Sequence, residues 1–104
     1  MNNKKMVRHL FKDAVFNRDK HKCVLCPYTK DLDAHHITDR NEMPNGGYVV
    51  ENGITLCPEH HIDAERFHVT GGQDWVEDMH PNDLYRKINS SKFKATEASR
   101  HITR

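Results

Sequence analysis

Two pairs of adjacent histidines, His35-His36 and His60-His61, and three cysteines, Cys23, Cys26 and Cys57, are the groups of this chain best suited to chemistry. Imidazole binds metal ions and moves protons near neutral pH, and thiolate is a soft metal ligand. Cys23 and Cys26 are separated by two residues, and so are Cys57 and His60. That spacing lets both members of a pair reach one tetrahedral ion, so Cys23, Cys26, Cys57 and His60 form a candidate Cys3His zinc set. A redox Cys-x-x-Cys would need a strand before it and a helix opening on it. Here a helical pattern precedes the motif and a polar stretch, residues 28–31, follows it.

Adjacent histidines do not readily serve the same ion. On a helix, neighbours point roughly 100° apart. If His60 completes the zinc set, His61 faces elsewhere, with Glu65 and His68 on its own face at i+4 and i+7. On a strand, successive side chains point to opposite faces, which divides His35 from His36. In such a pair one imidazole can bind a metal while the other acts on a nearby water.

The elements that must hold these groups can be read from periodicity. Val7, Leu10, Phe11, Ala14 and Val15 follow helical spacing over residues 6–17, predicting one buried face, with Arg8, Lys12 and Arg18 on the other. Residues 1–5 read as loose. Residues 32–36 read as a short strand, with Leu32, Ala34 and His36 on one side and Asp33 and His35 on the other. Residues 38–47 read as a loop, and residues 48–50 and 54–56 are β-prone, the second returning to pair with the first strand. Pro58 suits the first turn of a helix running to about His68, and Gly71-Gly72 ends it. Trp75, Val76, Met79, Leu84, Tyr85 and Ile88 read as satellite core, Trp75 having base stacking as its other reading. Residues 81–83 open a helix through Ile88. From Ser90 onward the chain is polar and basic, extended or marginally helical. Taken together, the chain reads as a single α+β domain over residues 1–104.

Composition narrows the rest. The chain has 104 residues, 36% of them apolar, so its core is small and a metal is a natural support. Three cysteines do not make a disulfide framework, and all three fit the zinc set, consistent with a reducing intracellular setting. No stretch has membrane-spanning length or the apolar core of a signal peptide. Net charge is only +1, but residues 1–22 carry seven Lys and Arg against two acids, residues 23–80 three against eleven, and residues 81–104 six against two. Basic ends around an acidic, histidine-rich middle fit a nucleic acid gripped at its phosphates around a central metal, or else merely solvated faces.

The ordered set Cys23-x2-Cys26, Asp33-Ala34-His35-His36-Ile37 and Glu51-Asn52-Gly53-Ile54-Thr55-Leu56-Cys57-x2-His60-His61 resembles the HNH endonucleases, the ββα-metal or His-Me finger superfamily, in their zinc-knuckle form. The resemblance covers about residues 16–68, and short stand-alone members of that family are often phage-encoded. It implies a basic N-terminal helix (1–22), a zinc knuckle and ββα-metal core (23–68) of an antiparallel hairpin plus helix, and a C-terminal helix with a basic tail (69–104). It also implies that His36 is the general base and that Asn52 braces the loop and orients that base. His35 and His61 then hold a catalytic divalent ion, Mg²⁺ or Mn²⁺ with Ni²⁺ or Zn²⁺ as further candidates. Glu65 departs from the His or Asn common at its position; it reads either as a hard third ligand or as a solvated helix residue. Asn52-Gly53 is equally an ordinary turn dipeptide.

The activity so implied is hydrolysis of DNA phosphodiester bonds, leaving 5′-phosphate and 3′-hydroxyl ends, with nicking expected of a monomer and a location in the (host) cytoplasm. Arg8, Lys12, Arg18 and Arg40 are candidate DNA contacts, although Arg40 could equally be a salt-bridge partner. An unperturbed imidazole base predicts activity falling as pH drops through about 6.5. The alternative is a non-catalytic, zinc-bearing nucleic-acid-binding module. His9, His21, His68, His80 and His101 read as surface or packing residues, with a phosphate contact as a lesser reading of His68.

Overall fold

The computed structural model describes residues 4–102; residues 1–3 and 103–104, with Arg104 of the basic tail, lie outside it. The chain begins with a helix, α1 (Lys4–Arg18), which takes in the expected span and two residues read as loose. Phe11 and Val15 are its buried side chains, and Phe16 packs partly beside them. Leu10, expected on the same buried stripe, is 58% exposed. The reason is angle: Leu10 and Ala14, also exposed, each lie about 100° round the helix from the buried Phe11 and Val15. The covered face is therefore the narrow line Val7, Phe11 and Val15.

That sheet is an antiparallel pair. β1 (Asp33–His36) runs against β2 (Gly53–Leu56), with Asp33 opposite Leu56, His35 opposite Ile54 and His36 opposite Gly53. Alternation sorts the two faces. Ala34 joins Phe11 and Val15 under α1, while Ile54 and Leu56 enter the main core with Ile37, Ala64, Met79, Leu84, Tyr85 and Ala95. Gly53 lies directly beneath α1, where a Cβ would come within 2.5 Å of Val15 Cγ2. Its backbone is extended, so Asn52-Gly53 starts a strand instead of making a hairpin turn, and the glycine allows the helix to approach.

At the C-terminal end of α1, Arg18 and Asp19 tie the helix to β2. Arg18 donates to the carbonyls of Val50 (2.7 Å) and Gly53 (2.6 Å), and Asp19 accepts from the Thr55 N–H at 3.0 Å. The connection between the strands, residues 37–52, contains short 3-10 turns at Arg40–Glu42, Pro44–Gly47 and Val50–Asn52. No strand forms at residues 48–50; Tyr48 and Val50 pack against the cluster under α1 instead.

Cys57 caps α2 (Pro58–Val69), Pro58 occupies its first turn, and the chain leaves it through Gly71 and Gly72, both at positive φ. α3 (Pro81–Lys87) opens on a capping box: His80 accepts from Asn82 N–H, and Asp83 accepts from His80 N–H. Met79, Leu84 and Tyr85 belong to the main core, with Val76 and Ile88 packed against it. Trp75, expected there too, is 44% exposed and meets His80 edge-on, with ring centroids 4.8 Å apart. The tail forms a fourth helix, α4 (Lys92–Arg100), capped by Ser91. Its buried residues are Ala95 and Ser99, and it supports the long connection where Asn45 donates to the Ser99 carbonyl (2.9 Å). The described residues thus form an α+β fold of four α-helices and one antiparallel strand pair, with β1, β2 and α2 consecutive. No helix among them is long and apolar enough to cross a membrane.

Candidate functional site: a closed thiol cluster and an open histidine cluster

The knuckle residues converge at the start of α2. Cys23 Sγ lies 3.6 Å from His60 Nδ1, Cys57 Sγ lies 3.3 Å from the same nitrogen, and the Cys26 and Cys57 sulfurs are 3.9 Å apart. A tetrahedral zinc–thiolate centre with bonds of about 2.3 Å has edges of roughly 3.8 Å. These three edges are close to that value and all four donors lie within 4.8 Å of one another, so they could hold a metal such as zinc. All three cysteines are free, and 3.9 Å is far beyond a disulfide bond. Burial pushes the Cys57 thiol up, but hydrogen bonds from the His60 backbone and side chain and from the other thiols outweigh it, leaving its pKa at about 7. The Cys26 thiol is raised: burial and its two thiol neighbours overcome a backbone hydrogen bond at Tyr28 that lowers it. A cation that takes thiolates suits this set, because each ligand it binds loses a proton.

One residue along α2, His61 turns to the other side. It faces His35 across β1, with ring centroids 5.3 Å apart. Glu65, one turn further, places Oε2 3.2 Å from His35 Nδ1 and 3.4 Å from His61 Nε2. His35, His61 and Glu65 thus form a second group able to hold a metal ion, their ligand atoms all within 4.8 Å of one another.

His35 is 2% exposed, and neither of its ring nitrogens has an aligned hydrogen bond; Glu65 approaches Nδ1 as a close charge without that alignment. A buried imidazole without aligned partners, facing another imidazole and a carboxylate, is what a cation would satisfy. Burial lowers the His35 pKa against the opposing pull of Glu65, keeping its lone pair available. The Glu65 carboxyl is drawn down to about 2, first by its interaction with His35, so it is ionised at neutral pH. Asp33 approaches the far nitrogen of His61, Nδ1, at 3.3 Å, the arrangement that fixes the tautomer of a ligating histidine.

His36 leaves the opposite face of β1, yet at the end of the strand it borders the same cavity of about 240 Å³, together with His35, Asp39, Arg40, His61, Glu65 and His68. Its ring stacks on Phe11 (4.6 Å) and meets Tyr48 edge-on (4.8 Å). Nε2 has no hydrogen-bond partner. Burial, helped by the charges of His35 and Arg40, lowers its pKa to about 4, so this imidazole is neutral at physiological pH.

Asn52 does not line the cavity; it sits behind it, fully buried. Its side-chain oxygen accepts from Thr38 N–H (3.0 Å) and Tyr85 O–H (2.7 Å), and its amide donates to the carbonyls of Thr38 (3.0 Å) and Gly47 (3.2 Å). These bonds lock the segment that follows His36 onto the far end of the long connection. No protein family, curated protein or solved structure matches the chain.

Of the basic residues singled out from sequence, Arg40 borders the histidine cavity, and Arg8 lines a second cavity that Arg40 also borders. Lys12 lies on α1 with Nζ 6.0 Å from the Phe16 ring centroid, and Arg18 is engaged by Asp19 and two backbone carbonyls. His68 takes a larger part than its packing reading. Its Nε2 is 3.1 Å from the His36 carbonyl, and its ring stacks on His35 at 5.4 Å. The signal was the i+7 spacing from His61. Asp33 was legible as a neighbour of His35 on one strand face, whereas nothing local marks Tyr48 or Tyr85.

Proposed function

We propose that this chain is a metal-dependent DNA endonuclease that hydrolyses phosphodiester bonds with His36 as general base. The observation that carries the reading is the neutral, unpartnered His36 bordering one open cavity with the convergent donors His35, His61 and Glu65. A base must reach its water unprotonated, and burial against Phe11 and Tyr48 keeps His36 in that form. His36 would take a proton from water as the water oxygen forms its bond to phosphorus. The bond to the 3′ oxygen breaks in line, leaving a 5′-phosphate and, after proton uptake from solvent, a 3′-hydroxyl. When bound at His35, His61 and Glu65, a divalent ion supplies positive charge against the charge developing on the phosphate. Asn52 acts as a positioning residue, holding the backbone beyond His36, and His68 steadies both the His36 carbonyl and the His35 ring. The thiol cluster, with zinc as its proposed occupant, fixes the start of α2 and hence the direction of His61. The described residues hold one such histidine cluster, which favours nicking by a monomer.

The test is conversion of supercoiled plasmid by wild type and His36→Ala, each with Mg²⁺, Mn²⁺ or EDTA. Metal-dependent conversion to open circles that disappears in the variant supports the reading. Absence of conversion by folded, zinc-loaded wild type that still binds DNA would replace it with a zinc-bearing nucleic-acid-binding module.

A further inference from the structure

A second cavity, of about 410 Å³, lies between α1 and the long connection. Lys4 and Arg8 enter it from α1, Arg40 and Tyr48 from the connection. Lys4 and Arg8 are one helical turn apart and so share a face. No Asp or Glu lines this cavity, and none of the three cations takes part in an ion pair among the described residues. Arg40 Nη1 donates to the Tyr48 hydroxyl at 3.2 Å, and Arg8 reaches the same hydroxyl. Two guanidiniums and an ammonium therefore surround the Tyr48 phenol with no carboxylate on the cavity wall; the Asp39 charge that acts on Arg40 does so from the histidine-cavity side. An anion in the cavity would offset these positive charges and offer acceptors to both guanidinium forks. Phosphate fits this chemistry, since its several oxygens can meet Arg donors and a phenolic O–H together.

The position of the cavity makes the assignment more specific. Arg40 borders both this cavity and the histidine cavity, and the Tyr48 ring that walls one meets the His36 ring of the other. We infer that the Lys4–Arg8–Arg40–Tyr48 cavity binds a phosphate flanking the one presented to His36, so that the chain grips two phosphates of one polynucleotide strand. The choice of a polynucleotide rests on the nuclease reading; the choice of a phosphate rests on the cavity alone. A consequence is that a linkage at a strand end lacking that flanking phosphate is a poor substrate.

The test uses fluorescence anisotropy of a labelled DNA duplex with zinc-loaded protein in the absence of added divalent ion. Wild type is compared with the double variant Lys4→Gln/Arg8→Gln and with Lys30→Gln on the exposed knuckle loop. Both targeted side chains are exposed, and circular dichroism with zinc content verifies the fold. Loss of one phosphate contact predicts about tenfold weaker binding near 0.1 M salt and a salt-dependence slope shallower by about one in the double variant. Lys30→Gln should stay within about twofold of wild type. A series of duplexes, each with a single neutral methylphosphonate, should show one position that weakens wild type and leaves the double variant indifferent. Equal slopes for wild type and the double variant, or no binding by wild type, would overturn the inference.

If inorganic phosphate shifts the Tyr48 ring resonances while the methylphosphonate series is flat, the cavity takes a free phosphate and the polynucleotide assignment falls. Plasmid conversion run in parallel separates the two proposals. Pocket-dependent binding without cleavage removes the nuclease and keeps the subsite. Cleavage with unchanged salt slopes removes the subsite and keeps the nuclease.

Discussion

His60 and His61 are consecutive residues of one helix, yet they serve two environments of opposite character. His60 faces three cysteines, two of them buried, in a cluster whose donors all point at one another. His61 faces a buried imidazole and a half-exposed carboxylate at the edge of a cavity. The first set is soft, complete at four ligands and closed, as structural sites are. The second offers three borderline or hard donors at the edge of an open cavity. A turn of about 100° per residue is enough to put one histidine among the thiols and the next beside that cavity. Fold and reactivity should therefore fail separately when the two clusters are damaged separately.

The largest break is expected at the closed cluster. Cys57→Ser removes a central ligand and the cap of α2, and structural zinc centres contribute on the order of 10 kcal/mol to folding. The variant should lose bound zinc by metal analysis and its cooperative thermal transition by circular dichroism. A cooperative melt near that of wild type would show that the fold does not depend on this cluster.

His61→Ala addresses the other side of the same helix. Plasmid conversion should fall by roughly 10²-fold or more, with the several kcal/mol that a metal supplies to charge stabilisation, while zinc content stays at the wild-type value. Loss of fold alongside activity would mean that the two clusters are one structural unit.

Asn52→Ala sharpens the comparison because Asn52 lies behind the open cluster without entering it. The substitution leaves the Thr38 N–H and the Thr38 and Gly47 carbonyls without their Asn52 partner, while the Tyr85 hydroxyl keeps its bond with Thr38 Oγ1 (2.6 Å). A loss of about 3 kcal/mol in urea unfolding is expected. A change within experimental error would show that the brace is dispensable for stability.

The smallest perturbation is a single proton on His36. Sequence alone placed its titration near 6.5, and burial moves it to about 4. The folded chain keeps this imidazole neutral while the unfolded chain protonates near 6.5. Its contribution to stability is therefore complete above that pH and is lost as pH falls toward 4. NMR titration of the His36 ring should give a midpoint near 4, and a midpoint near 6.5 would contradict the packed position against Phe11 and Tyr48. If His36 is the base, its protonation alone does not reduce cleavage at pH 6.

What sequence revealed and what it hid follow from range. Cys-x-x-Cys, Cys-x-x-His and the His61–Glu65 spacing are local, so the pattern carries their geometry directly. The four-residue β1 was legible for the same reason. α4 was left between extended and marginally helical, because its buried contacts come from Ala95 and Ser99, small residues that leave no hydrophobic stripe. Tyr48 and Val50 have strand-forming side chains but serve the packing of α1, and Trp75 lies half in solvent against His80 where a core position was expected. Tyr85 read as apolar core, and it is buried; its bond to Asn52, however, spans 33 positions, and no local pattern encodes such a pairing.

The thiol cluster also constrains the path by which the molecule can assemble. Cys26 and Cys57 are 31 positions apart, and β1, the long connection and β2 all lie between them. A metal ion that joins these ends closes a loop whose chain entropy opposes closure by about 3 kcal/mol before any strand contact repays it. His35, His36 and Asn52 lie inside that loop, while His61 and Glu65 follow it immediately. The strand pair, which brings His36 opposite Gly53, closes a shorter loop, so its pairing and ion capture by the thiols each lower the cost of the other. During synthesis His61 and Glu65 emerge only after Cys23, Cys26, Cys57 and His60, so the thiol set is complete before the histidine cavity can be.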